Sequence, residues 1–189
     1  MVGVGPGGKI SVLARVSVVD YYGRTLFDSF VHVEERVTDY RTHVSGVTER
    51  DLKTKGADFG RVRNRVKKLL KNKTVVGHGL ENDLRALKID RDHLWYNIRD
   101  SATQHRPYMR FDPLAQQWRP CRLRDLAWHH LGVVIQQGDN PHDSLEDALA
   151  AMALYRIAQP EWDYEIDLQR RDRAMANFFV RQFNNCKRF

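Results

Sequence analysis

The stretch that decides the fold lies at residues 74–83, which read TVVGHGLEND. A short apolar strand ends in Gly77-His78-Gly79, and a helix of residues 80–87 is predicted to follow it. Asp83 then falls in the first turn of this helix, near the carboxyl end of a strand, where open α/β sheets place their ligands. An acidic residue in that turn also stabilises the helix dipole. Taken alone, the stretch favours this second, structural interpretation.

A second acidic cluster lies at residues 142–147, which read HDSLED. Asp143 and Glu146 form a D-x-x-E capping pair at the head of a late helix. Asp147 lies one turn inside that helix, and His142 precedes the cap on a loop. A loop histidine beside an aspartate on a rigid helix suits a general base for a metal-activated water. A cap and a dipole partner account for the same residues, and short motifs carry a high false-positive risk.

The remaining pattern is that of an α/β chain with a mixed sheet. Residues 3–8 are predicted to form a loop, because Gly and Pro dominate them. Period-two alternation around a turn at residues 22–24 predicts an antiparallel hairpin of strands 10–18 and 25–33. The other predicted elements are a helix start at residues 48–51, a helix around 59–70, a strand at 98–102, a helix at 123–131, and a helix at 143–157 that Pro160 ends. The predicted organisation is one domain at residues 1–160 and a partly helical C-terminal appendage at residues 161–189.

Composition limits the class of function. The chain has 189 residues, with 31 Lys and Arg against 24 Asp and Glu, and a net charge of +7. A basic surface favours contact with a polyanion such as nucleic acid, although many basic proteins bind none. No apolar run approaches the length of a membrane span and no secretory leader is seen, so we expect a protein that is neither in a membrane nor secreted.

The order of the two clusters carries a specific resemblance. Gly-His-x-x-x-x-Asp after a strand, followed by His-x-x-x-x-Asp at the head of a late helix, resembles the second and third motifs of the DEDD exonucleases with histidine. Residues 39–42 and 44–48 resemble a signature of one branch of that family. This branch holds RNA exonuclease 4, the interferon-stimulated exonuclease and the apoptosis-enhancing nuclease. The resemblance covers residues 1–159 and implies a ribonuclease H-like fold, with a mixed central sheet flanked by helices.

The resemblance also implies a chemistry. Members of the family remove nucleotides from the 3′ end of RNA or single-stranded DNA. Four carboxylates hold two divalent cations, Mg²⁺ or Mn²⁺, about 3.5–4 Å apart, and hard oxygen ligands suit both ions. By similarity, Asp83 and Asp147 are metal ligands and His142 is the general base that takes the proton of the attacking water. The residues implied to contact the substrate are Met1, Arg41 and His78.

The sequence departs from the family pattern at its N-terminal end. The first motif of the branch reads Asp-x-Glu-Met and ends the first strand of the sheet. Met1 aligns with the methionine of that motif, so its Asp and Glu are not in this sequence. By resemblance the missing strand lies between the hairpin and the strand at residues 74–77, and without it two buried strand edges lack partners. We therefore expect this chain alone to be inactive. N-terminal truncation is favoured over a decayed pseudonuclease, because Asp83, His142 and Asp147 are retained.

Two other classes of function stay open. A catalytically inactive module with the same basic surface binds single-stranded RNA without metal and forms no product. A structural partner in a ribosome-assembly or RNA-processing complex uses the C-terminal appendage, where Phe178, Phe179 and Phe183 form a contact surface with Arg181 and Lys187; docking of this surface onto the chain's own domain is the favoured alternative. RNA as the substrate in preference to DNA follows from the resemblance alone, as does a nuclear (including nucleolar) or cytoplasmic location.

Overall fold

A computed structural model of the chain describes residues 1–90, 97–136 and 142–186. The chain divides into two compact units, Met1–Arg156 and Ile157–Phe189. No helix among the described residues is long and apolar enough to cross a membrane. The domain boundary that the sequence places at residue 160 stays a prediction.

Five strands and then three helices open the chain, and strands and helices are mixed in the part that follows. The strands are β1 (Val2–Val4), β2 (Ile10–Val12), β3 (Arg15–Val19), β4 (Thr25–Phe30), β5 (Val37–Asp39), β6 (Val75–Gly77), β7 (Ile98–Asp100), β8 (Met109–Asp112) and β9 (Gln117–Pro120). The helices are α1 (Thr42–Ser45), α2 (Glu49–Lys55), α3 (Phe59–Leu70), α4 (Leu80–Ala86), α5 (Leu123–Leu126) and α6 (Ser144–Cys186). A π-helical turn, Ala127–Leu131, directly continues α5.

The strands pair in four groups that combine parallel and antiparallel directions. β1 lies between β2 and β5, and both of its pairings are antiparallel. The predicted hairpin is confirmed as the antiparallel pair β3–β4, with Arg15 opposite Phe30 and Val18 opposite Phe27. β6 and β7 are parallel, and β8 and β9 form a second antiparallel hairpin. The predicted α/β class with mixed strand directions is therefore confirmed.

The prediction of a loop at residues 3–8 is wrong at its start. Val2–Val4 forms the central strand of a three-stranded sheet, and the side chains of Val2 and Val4 are fully buried. Gly3 suits this strand, because a Cβ at this position would lie 2.5 Å from the carbonyl oxygen of Gly8. Burial of two valines and pairing on both sides outweigh the weak strand propensity of glycine.

The strand predicted at residues 10–18 is divided in two. β2 pairs with β1, whereas β3 pairs with β4 in a different group. Leu13 and Ala14 connect the two strands and are both buried. The apolar alternation continues from β2 into β3, although the two strands pair with different neighbours. The sequence pattern therefore predicts one strand, because it records which side chains are buried and not which strand they pair with.

Pro160 does not end the last helix, contrary to the prediction. α6 runs from Ser144 to Cys186 with Pro160 in its interior. A proline removes one amide donor and crowds the preceding turn, but residues 168–176 are, except for Asp172, strong helix formers, which favours continuation. In the appendage, Phe178 is exposed, while the side chains of Phe179 and Phe183 lie outside the described part of the chain.

Helices α2 and α3 follow their local signals. Thr48 and Asp51 form a reciprocal capping box at the start of α2, as predicted. Val62 and Val66 lie one turn apart on the apolar face of α3 and are buried. They join a core cluster whose other buried members are Leu13, Val31 and Leu87. This packing holds α3 against the β3–β4 side of the domain.

A cavity of about 700 Å³ lies between β3 and β6. Both strands line the cavity with consecutive residues, 15–19 and 75–77. Among the described residues, β3 pairs only with β4, and β6 pairs only with β7. The two strands that border the cavity therefore do not hydrogen-bond to each other, and the candidate site lies in the space between them.

Candidate active site

The position of Asp83 is set by the turn that joins β6 to α4. Gly79 has a left-handed conformation with φ of 73°, which lets the chain turn sharply after the strand. The amides of Gly79 and Leu80 donate to the two carboxylate oxygens of Asp100, at 2.8 and 3.0 Å. Asp100 ends the neighbouring parallel strand β7, so one buried carboxylate fixes the start of α4. Asp83 then faces the cavity from the first turn of the helix.

Replacing Asp100 by alanine is expected to destabilise the domain by about 3 kcal/mol. The buried carboxylate also accepts the amide of Ala102 at 2.9 Å, so its loss leaves three amide donors without their acceptor. Asp100→Asn keeps one acceptor oxygen and is expected to lose less. Urea unfolding of both variants measures the difference. An Asp100→Ala protein within about 0.5 kcal/mol of the parent would show that the turn does not depend on this carboxylate.

His78 is held beside the same turn. Its Nδ1 lies 2.9 Å from the hydroxyl oxygen of Ser101, and that hydroxyl donates to the carbonyl oxygen of Gly77 at 3.1 Å. Because the hydroxyl has a single proton, Ser101 accepts from Nδ1–H of His78 and Nε2 keeps its lone pair. Burial lowers the pKa of His78, which favours this neutral form. The residue predicted to contact substrate therefore lines the cavity as a hydrogen-bond acceptor.

Asp147 faces the cavity from the first turn of α6. Its Oδ1 accepts a hydrogen bond of 2.7 Å from the side-chain amide of Gln136. Its Oδ2 lies 3.7 Å from Nδ1 of His142. The amide of His142 donates to the carbonyl oxygen of Val44 at 2.8 Å, while its ring is 39% exposed. The backbone of His142 is therefore anchored and its imidazole is accessible, as a general base requires.

Met1 and Arg41 lie at the edge of this arrangement. Burial lowers the pKa of the Met1 amino group, while the charge of Asp83 opposes this shift and that of Arg41 adds to it. The guanidinium of Arg41 donates to the hydroxyl of Ser11 at 2.8 Å and to the carbonyl of Gly8 at 2.7 Å. Neither Met1 nor Arg41 is part of the cavity wall, so their role as substrate contacts stays a prediction.

The cavity brings together the residues that two distant motifs supply. Asp83, His142 and Asp147 all line it, together with His78 and Gln136. Sequence reasoning identified the first three and His78 but assigned no role to Gln136 or Asp100. The partners of these two residues lie 11 and about 20 positions away, and no local pattern marks them.

The charged forms of Asp83 and Asp147 are unfavourable in the cavity, as the pKa values of both residues indicate. Asp83 is an exposed residue, but its carboxyl faces the cavity, where loss of hydration raises its pKa to about 6; the Met1 amino group opposes the rise, and Asp100 and Asp147 add to it. Burial also raises the pKa of Asp147, although Gln136 and His142 favour its charged form. Carboxylates that face each other across a cavity hold their charge more easily when a cation lies between them.

The donor chemistry fits a divalent cation. Asp83 and Asp147 present hard oxygen ligands of the kind that Mg²⁺ and Mn²⁺ prefer. Within the described residues, however, no group of three or more acidic, histidine or cysteine side chains could hold a metal ion. The residues present therefore suit part of a cation site and do not supply a complete set of ligands.

Asp83→Asn is expected to stabilise the fold near neutral pH when no divalent cation is present. A folded-state pKa of about 6 against an ordinary 3.8 means that the contribution of Asp83 to stability is highest below about pH 4 and is lost as the pH rises from about 4 to 6. Solvent at the side chain reduces the effect to about 1 kcal/mol. Urea unfolding in a chelator at about pH 4.5 and 7 should show a smaller pH dependence in the variant. An unchanged pH dependence, equal to that of a Glu81→Gln control on the same helix, would contradict this origin.

Comparison with known proteins identifies the family. The profile described as "Exonuclease" matches residues 1–155. The chain belongs to the exonuclease family. RNA exonuclease 4 from Mycosarcoma maydis is 46% identical over 164 residues, which are 86% of this chain and 41% of that protein. The human apoptosis-enhancing nuclease is 40% identical over 165 residues, 87% of this chain and 49% of that protein.

Solved structures of the exonuclease family support the fold. The pseudoubiquitin hydrolase-RNA exonuclease module of Saccharomyces cerevisiae Pan2, in complex with AAGGAA RNA, matches with a TM-score of 0.69 and 27% identity. The match covers 94% of this chain and 31% of that chain. The resemblance drawn from the two motifs is confirmed at the level of family and fold. The chain spans less than half the length of each of these three relatives.

Proposed function

We propose that this exonuclease domain hydrolyses the terminal phosphodiester of single-stranded RNA in the 3′→5′ direction, with the help of divalent cations. The observation that carries the proposal is the convergence of Asp83, His142 and Asp147 on one cavity. The names of its relatives, RNA exonuclease 4 among them, support RNA as the substrate. Exonucleases of this family generally use divalent metal ions.

Each residue of the site has a defined task in this proposal. Asp83 and Asp147 hold the cation, which when bound lowers the pKa of water and stabilises charge on the leaving oxygen. His142 takes the proton of the attacking water, because a neutral imidazole accepts protons near physiological pH. Gln136 keeps one oxygen of Asp147 in place through its hydrogen bond of 2.7 Å.

Three further predictions belong to the same proposal. Met1, Arg41 and His78 contact the terminal nucleotide, with Nε2 of His78 as the acceptor. Residues 1–160 form the catalytic domain and residues 161–189 an appendage to it. RNA-processing or ribosome-assembly proteins as partners, and a nuclear or cytoplasmic location, stay predictions from the sequence.

A specific observation favours a second candidate function. The described residues do not contain a complete group of ligands for a metal ion. An RNA-binding domain without catalytic activity would lack such a group as well. Such a domain binds RNA in the presence of a chelator and releases no nucleotide.

Polarity of digestion separates the two candidates. An RNA labelled at its 5′ end and carrying a free 3′ hydroxyl should shorten one nucleotide at a time, and a 3′ phosphate on the same RNA should slow the reaction. The chain is tested as residues 1–189 and with an N-terminal extension ending in Asp-x-Glu. Shortening from the 5′ end, or internal cleavage, would contradict the proposal. Binding without any product from either form would favour the second candidate.

A further inference from the structure

The β8–β9 hairpin exposes two aromatic side chains that a folded domain normally buries. Phe111 and Trp118 are directly opposite each other in the strand register, with ring centroids 5.5 Å apart. They are 47% and 41% exposed. Apart from Asp112, all residues from 110 to 120 are exposed, including Leu114 at the turn. This aromatic pair therefore presents ring surface to solvent on an exposed hairpin.

The hairpin and the residues that flank it are together basic. Residues 106–125 contain five arginines against two acidic residues, Asp112 and Asp125, a net charge of +3. The guanidinium of Arg106 lies 5.5 Å from the centre of the Trp118 ring, on the aromatic face of the hairpin. Arg110 and Arg119 are opposite each other on the alternate face, and Arg119 also bonds Asp112 at 2.6 Å. The net positive charge of this segment favours binding of a polyanion such as nucleic acid.

The hairpin connects directly to the candidate active site. β9 ends at Pro120, and Arg122 and Arg124 line the cavity that holds Asp83 and Asp147. The end of the hairpin is therefore separated from the cavity wall by a single residue, Cys121, and the two arginines that follow it are part of that wall.

We propose that the β8–β9 hairpin binds single-stranded RNA outside the cavity, with bases stacked on Phe111 and Trp118 and phosphates contacted by Arg106 and Arg110. The proposal rests on the proposed function, because it assigns the same RNA to a second surface. Stacking on an aromatic side chain contributes about 1–3 kcal/mol per base and tolerates any sequence. Arginine adds cation–π contact and counterion release from phosphates.

The binding test uses residues 1–189 and a fluorescein-labelled RNA of about 12 nucleotides in a chelator, followed by anisotropy. The double variant Phe111→Ala, Trp118→Ala should weaken binding at least about tenfold. Arg110→Ala should weaken RNA binding equally for every RNA sequence. It should also reduce the salt dependence of the affinity by the amount expected for about one phosphate contact. Trp128→Ala, an exposed tryptophan outside the hairpin, is the matched control and should bind as the parent does. Circular dichroism checks that the variants fold.

The length of the RNA separates this proposal from the proposed function. In the form extended by Asp-x-Glu, the double variant should digest RNA of about three nucleotides normally and raise KM for RNA of about 12 nucleotides. Equal RNA affinity in the double variant and the parent would overturn the hairpin proposal, as would a parent that binds no RNA. A hairpin that contacts a protein instead of RNA would give equal RNA affinity in the double variant and the parent. Loss of all digestion by the unmodified extended form would overturn the proposed function.

Discussion

An N-terminal extension that ends in Asp-x-Glu before Met1 is expected to raise the rate of RNA hydrolysis by about a thousandfold over residues 1–189. The cavity between β3 and β6 presents the carboxylates of Asp83 and Asp147, and the described residues supply no complete ligand group. Two more carboxylates on a strand in that space would complete the charge that holds two cations. Several kcal/mol of transition-state stabilisation correspond to this change in rate.

A matched extension ending in Asn-x-Gln separates the structural effect from the chemical one. Both extensions offer a strand to β3 and β6, so both should raise the midpoint of thermal unfolding. Only the acidic extension should release nucleotides from RNA labelled at its 3′ end. Equal activity of the two extended forms would show that carboxylates at these positions do not take part in catalysis.

Asp147→Asn in the form extended by Asp-x-Glu is expected to reduce the rate of hydrolysis by about a thousandfold while leaving RNA affinity in a chelator nearly unchanged. The amide keeps the size of the side chain and an acceptor for Gln136, but it removes the negative charge that holds the cation. Single-turnover digestion measures the chemical step apart from binding.

Glu81→Gln is the control for Asp147→Asn. Glu81 is an exposed carboxylate of α4 that pairs with Arg85 at 3.1 Å and does not line the cavity. Its replacement should leave hydrolysis within about twofold of the parent, because surface ion pairs contribute little. An Asp147→Asn protein that retains the parental rate would refute the assignment of Asp147 and favour a different catalytic centre.

Local signals in the sequence predicted the elements that depend on neighbouring residues. The capping box of Thr48 and Asp51 and the apolar face of α3 need only residues within one helical turn. The glycine-rich start predicts a loop, but Val2–Val4 forms a strand, because burial of its two valines and pairing with β2 and β5 outweigh its local composition. Pro160 lies inside a helix instead of ending it, and the strong helix formers that favour continuation, at residues 168–176, begin about two turns beyond it.

The candidate site shows the same limit. Asp83, His142 and Asp147 could be named from two motifs and a family resemblance, but their convergence depends on how β6 and α6 pack around the cavity. Asp100 and Gln136 position the two carboxylates through partners that are distant in sequence. The aromatic pair of the β8–β9 hairpin was also missed, because Phe111 and Trp118 become neighbours only through the register of that hairpin.

The central claim is that Asp83 is a metal ligand. The most direct test measures the pKa of Asp83 in the form extended by Asp-x-Glu, by carbon-13 NMR of its carboxyl with and without Mg²⁺. Without metal, burial should hold this pKa well above its ordinary value, as in residues 1–189, where it is about 6. If Asp83 holds the cation, saturating Mg²⁺ should lower the pKa below about 3.9, the ordinary value of an aspartate. A pKa that stays elevated at Mg²⁺ concentrations that support RNA hydrolysis would contradict the assignment of Asp83 as a metal ligand.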